Sequence, residues 1–253
     1  MKIFKTLFIA LLLVAVTPLT AQTADEIIAN YFENIGGAAA WDELQGIKFV
    51  GSVDTQGMTI PIEFYQTKEG KQILKINIQG QEMVQFSYDG EKMWTTNFMT
   101  MQAEEADPDT TANMKNQTAD FPDPFLNYKE KGYTAELIGD ETIEGTETFK
   151  VKLTRKPIMV EGVEEPNVTF FFFEKENFVP IATESEMREG PMKGQVVKET
   201  MSDYQEVGGL FFPFAITMGG GQPVTMSDII LNPEIDEAMF IMPEVASDTE
   251  DKK

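Results

Sequence analysis

The chain has 253 residues, of which 42 are acidic and 20 are basic, so its formal net charge at neutral pH is −22. This charge excludes a nucleic-acid-binding surface, which requires a basic face, and it disfavours contact with anionic membranes. Histidine and cysteine are both absent. Nucleophiles activated by histidine and the usual zinc ligand sets are therefore excluded, and no catalytic residue, cofactor or metal site is predicted.

The first twenty-one residues have the three-part layout of a secretory signal peptide. Two lysines precede an apolar run over residues 7–16, and the small residue Ala21 ends the segment. The run is shorter than the about 20 residues that a membrane-spanning helix needs. We expect cleavage after Ala21, without lipid attachment because cysteine is lacking. One exported, soluble domain is expected over residues 22–243, followed by a disordered acidic tail over residues 244–253.

The mature chain is predicted to open with a helix and to continue in strands. Residues 24–35 carry five apolar side chains at helical spacing, and Gly36-Gly37 ends the pattern. From residue 47 the apolar side chains alternate with polar ones, and turn residues recur about every ten to twelve positions. Because no helix-length segment separates these strands, a parallel α/β sheet is excluded and antiparallel pairing is expected.

Residues 98–131 interrupt the alternation with three prolines and several acids, which indicates a long excursion with one or two short helices. Strand patterning resumes at Thr134 and continues to Leu231. The predicted fold class is therefore mainly β: an unclosed antiparallel β barrel, formed by a strongly curved sheet of about eleven strands, with covering helices.

Four consecutive aromatic residues, Phe170 to Phe173, lie in one of the later strands. Since side chains alternate along a strand, both faces of this strand must be covered or must line something apolar. Two interpretations follow. The aromatic and methionine side chains form an ordinary core, or they line a ligand cavity between a concave sheet and its helices.

Six segments of the sequence form a familiar set when they are taken in order. They are the opening helix with Gly36-Gly37 and Trp41, and residues 88–94, 137–151, 204–213, 229–235 and 240–243. Together they resemble the periplasmic outer membrane lipoprotein-sorting proteins, the LolA-like superfamily, over nearly the whole mature chain. The chain departs from that family in one respect: family members often carry an arginine in an early strand that holds a lid closed, whereas the arginines here are Arg155 and Arg188.

The resemblance implies an unclosed barrel whose apolar hollow holds the lipid tails of a cargo in a Gram-negative periplasm, without catalysis. The expected partners are an acylated lipoprotein or lipid and membrane-bound transfer proteins, and the expected state is a monomer. The apolar faces of the early strands supply the candidate ligand-binding residues, which are Phe49, Ile60, Ile62, Phe64, Leu74, Ile76, Ile78 and Phe86. Residues 99–128 are the candidate lid.

Two other classes of function remain open at this stage. A sensor or interaction protein could use the same fold to detect lipid or mislocalised proteins and report to a membrane partner. A glycan hydrolase needs only two facing carboxylates, which 42 acidic residues could supply. Asp107 and Asp109 offer oxygen ligands for calcium, but the spacing of a calcium-binding loop is absent and no metal site is predicted.

Overall fold

The computed structural model describes residues 22–188, 190 and 192–243, so the predicted signal peptide and the predicted tail lie outside the described residues. The helices are α1 (Ala24–Asn34), α2 (Ala38–Asp42) and α3 (Pro108–Thr118), with a 3₁₀ helix at Glu237–Phe240. The strands are β1 (Gly46–Thr55), β2 (Met58–Thr67), β3 (Gln72–Ile78), β4 (Gln81–Tyr88), β5 (Met93–Asn97), β6 (Gln102–Glu105), β7 (Thr134–Ile143), β8 (Thr146–Val160), β9 (Val163–Glu174), β10 (Pro180–Glu186), β11 (Val196–Val207), β12 (Leu210–Met218) and β13 (Gln222–Leu231). Among these helices, none combines the length and the apolar character needed to cross a bilayer.

All thirteen strands form one antiparallel sheet in the order β6-β5-β4-β3-β2-β1-β13-β12-β11-β10-β9-β8-β7. Most strands pair with their neighbours in sequence, and β13 returns to pair with β1. Over the described residues, β6 and β7 are the two edges of the sheet and do not pair with one another. The predicted fold class, an unclosed antiparallel barrel with covering helices, is thereby confirmed.

The sheet has thirteen strands rather than about eleven, and one of the additional strands lies in the excursion, which is less irregular than its sequence suggests. Its first part contains β6, whose sequence Gln-Ala-Glu-Glu lacks large apolar side chains and so shows no strand pattern. Its middle part is α3, and residues 125–128 bring three buried side chains into the core. Residues 98–131 therefore add a strand to the sheet and contribute buried side chains to its core.

Helix α1 begins and ends as its sequence predicts. The Thr23 hydroxyl accepts a hydrogen bond from the Glu26 N–H, and the Glu26 carboxylate accepts one from the Thr23 N–H, which caps the first turn. Gly36 follows the helix with a φ of 108°. A Cβ atom at Gly36 would lie 2.3 Å from the carbonyl oxygen of Gly209. Only glycine fits this close approach between the helix end and the β11–β12 turn.

The main core lies on the sheet face that α1, α2 and residues 125–128 cover. Tyr31 of α1 contacts Phe173 with ring centroids 5.5 Å apart, and Phe125 contacts Phe171 at 4.7 Å. The side chains of Phe170 and Phe172 point to the opposite face, where the Lys150 ammonium lies 5.0 Å and 4.9 Å from their ring centroids. In this part of the sheet the aromatic run is ordinary core, covered on both faces.

Candidate functional site

The pairing register places the eight candidate residues on one face of β1 to β4. Phe49 lies opposite Phe64, Phe64 opposite Leu74, and Leu74 opposite Phe86. In the next row Ile62 lies opposite Ile76, and Ile60 and Ile78 follow two residues further along the same strands. Successive rows of a pleated sheet that lie two residues apart share a face. We call the surface formed by these eight residues the open face.

The open face belongs to the same side of the sheet as the main core. The Phe49 ring lies 6.4 Å from the ring of Phe212, which is buried against Trp41. From Phe49 a line of aromatic contacts continues across the strands, to Phe64 at 6.1 Å and from Phe64 to Phe86 at 6.2 Å. The open face is therefore a lateral extension of the core along the inner side of the sheet.

The open face differs from the main core in how far it is covered. Ile76 is 9% exposed and the other seven side chains are exposed to an intermediate degree, whereas Phe173 and Val151 in the main core are 0% exposed. Helices α1 and α2 and residues 125–128 pack against a core drawn mainly from β8, β9, β12 and β13. The 3₁₀ helix contacts β3, but on the opposite side of the sheet, where the Phe240 carbonyl accepts hydrogen bonds from Ser87 and Trp94. Apolar side chains thus remain partly accessible on β1 to β4.

Charged side chains of β1 to β4 all lie on the other side of the sheet. Lys48 forms an ion pair of 2.9 Å with Glu63 there, and Lys75 forms one of 3.2 Å with Glu82. Asp54, the fifth charged residue of these strands, also lies on the side opposite the open face. The open face can consequently accept an apolar ligand, but it offers no ionic anchor and no pair of carboxylates for glycan hydrolysis.

Helix α3 lies between the two edges of the sheet. On one side, its Met114 packs against Tyr88 and Met93, next to Phe86 of the open face. On the other side, the Asn113 amide makes two 2.7 Å hydrogen bonds with the backbone of Met159 in β8. The helix therefore connects β5 with β8, each of which is the second strand from an edge of the sheet.

Arg155 of β8 forms an ion pair with the segment that follows α3. Its guanidinium donates to the Asp120 carboxylate at 2.8 Å and to the Thr169 hydroxyl at 2.9 Å, and the Tyr133 hydroxyl also donates to Asp120 at 2.8 Å. Burial and the neighbouring Asp120 raise the pKa of the Tyr133 hydroxyl. Both arginines of the chain line an open polar cavity of about 450 Å³ beside α3. The ion pair between Arg155 and Asp120 could not be predicted from the sequence, because 35 positions separate the two residues.

Asp123 lies in the segment between α3 and β7 with its carboxyl group surrounded by protein, although the residue as a whole is partly exposed. It accepts hydrogen bonds of 2.8 Å from the Tyr31 hydroxyl and from the Phe125 N–H. Burial raises the pKa of the Asp123 carboxyl above its ordinary value of 3.8, and nearby Asp120 adds to this, while those two donors and Lys131 oppose it. Burial has the larger effect, so the ionised form of the Asp123 carboxyl group is destabilised in the folded protein.

The raised pKa predicts how Asp123 contributes to stability as the pH changes. The folded state holds this proton more tightly than the unfolded state, so the contribution of Asp123 is greatest below pH 3.8 and is lost as the pH rises through the folded pKa. We expect Asp123→Asn to unfold at higher urea concentration than the wild type at pH 8, with the difference shrinking towards pH 4. Asp25→Asn is the control with the opposite sign, because hydrogen bonds from Lys129 and Tyr128 lower the pKa of Asp25. A difference for Asp123→Asn that grows towards low pH would contradict the assignment.

The described residues contain no group of three or more histidine, cysteine, aspartate or glutamate side chains arranged to hold a metal ion. Asp107 instead caps α3, where its carboxylate accepts hydrogen bonds from the Thr110 N–H at 3.0 Å and the Thr110 hydroxyl at 2.6 Å. Asp109 accepts a hydrogen bond of 2.6 Å from the Gly162 N–H. Both side chains therefore have structural partners within the protein.

No protein-family model matches the sequence, and no curated protein matches it. Solved structures are similar in fold. A DUF1329 family protein from Desulfovibrio piger superposes with a TM-score of 0.53 at 14% identity, over 87% of this chain and 98% of the other. A domain from Vibrio parahaemolyticus, described as an outer membrane lipoprotein-sorting protein domain, superposes with a TM-score of 0.50 at 14% identity, over 85% and 94% of the two chains. The chain therefore shares the fold of these two proteins, as its resemblance to the lipoprotein-sorting proteins implied.

Proposed function

We propose that this protein is a periplasmic carrier that binds the acyl chains of a lipoprotein, or another lipid, on the open face. The observation that carries the proposal is the alignment of eight apolar side chains on the inner side of the sheet, without a charged neighbour on that side of β1 to β4 and with seven of the eight only partly covered. A continuous apolar surface that remains partly exposed in a monomer is characteristic of a binding site. The fold shared with a lipoprotein-sorting domain supports the same class of ligand.

The chemistry of the open face suits a flexible acyl chain. Isoleucine, leucine and phenylalanine side chains line this surface, and their rows run across four strands. Burying one methylene group contributes about 0.8 kcal/mol, so an acyl chain of about sixteen carbons contributes about 12 kcal/mol before the cost of immobilising it. Binding of this kind needs no polar anchor, which agrees with the location of every charged residue of β1 to β4 on the outer side.

Of the candidate lid, residues 99–128, we place the moving part at α3. Met114 is the contact of α3 with the border of the open face, and polar contacts of Asn113 hold the helix to β8. An incoming acyl chain that extends past Phe86 would meet Met114 first. Methionine is flexible and adapts to different apolar surfaces, which suits a side chain that must yield to a ligand.

The test is native mass spectrometry, with lipid extraction, on the protein exported to a Gram-negative periplasm and purified without detergent. We expect co-purified lipid or acylated peptide, since the open face would otherwise stay in contact with water. The apo protein is then incubated with phospholipid and with a triacylated peptide. If only the mass of the ligand-free protein were found in both experiments, the open face would be a partly exposed core and not a binding site.

A further inference from the structure

Large apolar side chains are exposed at the hairpin turns that lie at one end of β1 to β6 and of the neighbouring hairpin β12–β13. The turn between β5 and β6 reads Phe98-Met99-Thr100-Met101, and Met99 is 95% exposed. Exposure is also high for the other members of this set, which we call the apolar rim: Met58 at 51%, Phe98 at 50%, Met101 at 50% and Met218 at 42%. A single exposed methionine is ordinary on a protein surface, but Phe98, Met99 and Met101 lie within four consecutive residues and place their apolar surface together at one turn.

The two ends of the strands differ sharply in charge. At the end that carries the rim, the turns at residues 56–57, 79–80, 98–101 and 219–221 contain no charged residue. At the opposite end, the turn at residues 68–71 reads Lys-Glu-Gly-Lys and the turn at residues 89–92 reads Asp-Gly-Glu-Lys. In a chain with a net charge of −22, four uncharged turns are a local property that solubility alone does not explain. Charged residues do occur nearby: Asp54, Glu82 and Glu104 flank these turns, and the turn at residues 187–195 of the same end carries Arg188 and Lys193.

The rim is continuous with the open face. Met58 precedes Ile60 by two residues on β2, and Ile78 is the last residue of β3 before the uncharged turn at residues 79–80. Phe98 and Met99 extend β5, which pairs with β4 beside Phe86. An apolar path therefore runs along β2 from the tip of the β1–β2 hairpin onto the inner side of the sheet, whereas Thr95 to Asn97 of β5 separate Phe98 and Met99 from Phe86.

We propose that the apolar rim docks on a lipid bilayer, specifically on a surface rich in zwitterionic lipid, and that it places the open face at the membrane from which the ligand is taken. This inference rests on the proposed function and names the partner of that site. Single apolar side chains that reach from uncharged turns into the boundary between head groups and acyl chains are what a bilayer accommodates. Because the protein is strongly acidic, anionic lipid should repel it.

A bilayer fits this arrangement better than a protein partner does. The rim side chains stand on separate hairpins, and glycine turns lie between them, including Gly57, Gly80 and Gly219 to Gly221. A stable protein interface needs a contiguous, closely packed apolar centre. A fluid surface has no fixed shape and can receive isolated side chains, most of which are flexible methionines here.

The test is co-sedimentation of the full mature protein with vesicles of phosphatidylcholine, and with vesicles of equal parts phosphatidylcholine and phosphatidylglycerol. We expect the protein to bind phosphatidylcholine vesicles and to bind the vesicles that contain phosphatidylglycerol more weakly. High salt should partly restore binding to the anionic vesicles, because it screens the repulsion. The triple variant Phe98→Gln/Met99→Gln/Met101→Gln should bind phosphatidylcholine vesicles about tenfold more weakly. The double variant Ile138→Gln/Ile230→Gln, which alters side chains 51% and 38% exposed on β7 and β13 away from the rim, is the matched control and should bind like the wild type.

Three outcomes would overturn the proposal: no binding to either vesicle, stronger binding to the anionic vesicles, or equal losses in the triple variant and the control. A protein partner for the rim would give the first of these. Uptake of a fluorescent fatty acid supplied as monomers, measured on the same samples, separates this proposal from the carrier function. Uptake without vesicle binding removes the rim proposal alone, while vesicle binding without uptake removes the carrier function and leaves the membrane contact.

Discussion

Ile62→Asp should reduce the lipid that co-purifies with this protein about tenfold or more, while the chain still folds. Ile62 lies in the second row of the open face, opposite Ile76 and next to the row that contains Phe64. An ionised carboxylate at this position would have to lose its water when an acyl chain covers it, and no cation of β1 to β4 faces it. In the apo protein the same carboxylate remains hydrated, because Ile62 is partly exposed. The change therefore opposes the loaded state much more than the folded state.

The matched control for this experiment is Val84→Asp. Val84 lies in β4 opposite Lys75, so its side chain is on the outer side of the same part of the sheet, and it is also partly exposed. Bound lipid is quantified by mass spectrometry after extraction, and folding is checked by circular dichroism and urea unfolding. Lipid content that stays unchanged in Ile62→Asp, or that falls equally in Val84→Asp, would contradict the assignment of the ligand to the inner side.

Period-two alternation in the sequence places the candidate residues of β1 to β3 on one face. On β4 a bulge shifts the register, so Phe86 lies on that face while Val84 lies on the other. The alternation fixes which side chains of a strand share a face, and turns such as Gln56-Gly57 and Gln79-Gly80 join neighbouring strands with two residues. Short turns of this kind hold the register, so the rows that contain Phe49 and Phe64 meet across the strands. Helix α1 is equally predictable, because its apolar stripe and its terminal glycines are local signals.

The sequence does not tell which part of the sheet is open. Phe49 and Phe64 look no different from Phe173 in a pattern of alternation, yet Phe49 and Phe64 are partly exposed and Phe173 is completely buried. The difference depends on where α1 and residues 125–128 pack, which is decided by contacts between residues far apart in the chain. The bond of Arg155 to Asp120 is another such contact, because polar side chains that meet across 35 positions leave no periodic trace.

A second pair of substitutions separates the two parts of the inner face by their effects on stability and on binding. Phe173 is 0% exposed and contacts the rings of Tyr31 and Phe125 at 5.5 Å and 5.4 Å. Phe173→Ala should therefore lower the free energy of unfolding by about 3–5 kcal/mol through lost burial and a residual cavity. Phe64 is partly exposed and has water on one side, so Phe64→Ala should cost about 1–2 kcal/mol.

The order of the two variants should reverse when ligand binding is measured. Phe64 contributes ring surface to the middle of the first row, between Phe49 and Phe86, so its loss should weaken the binding of a fluorescent fatty acid about tenfold. Phe173→Ala should leave the affinity of the folded fraction unchanged, since that ring is enclosed by protein in any case. Urea unfolding with and without the fatty acid measures both quantities, because a ligand that binds only the folded state raises the unfolding free energy according to its affinity. If Phe64→Ala lost stability without losing affinity, the open face would be core that its helices cover incompletely, and the ligand would have to bind elsewhere on the molecule.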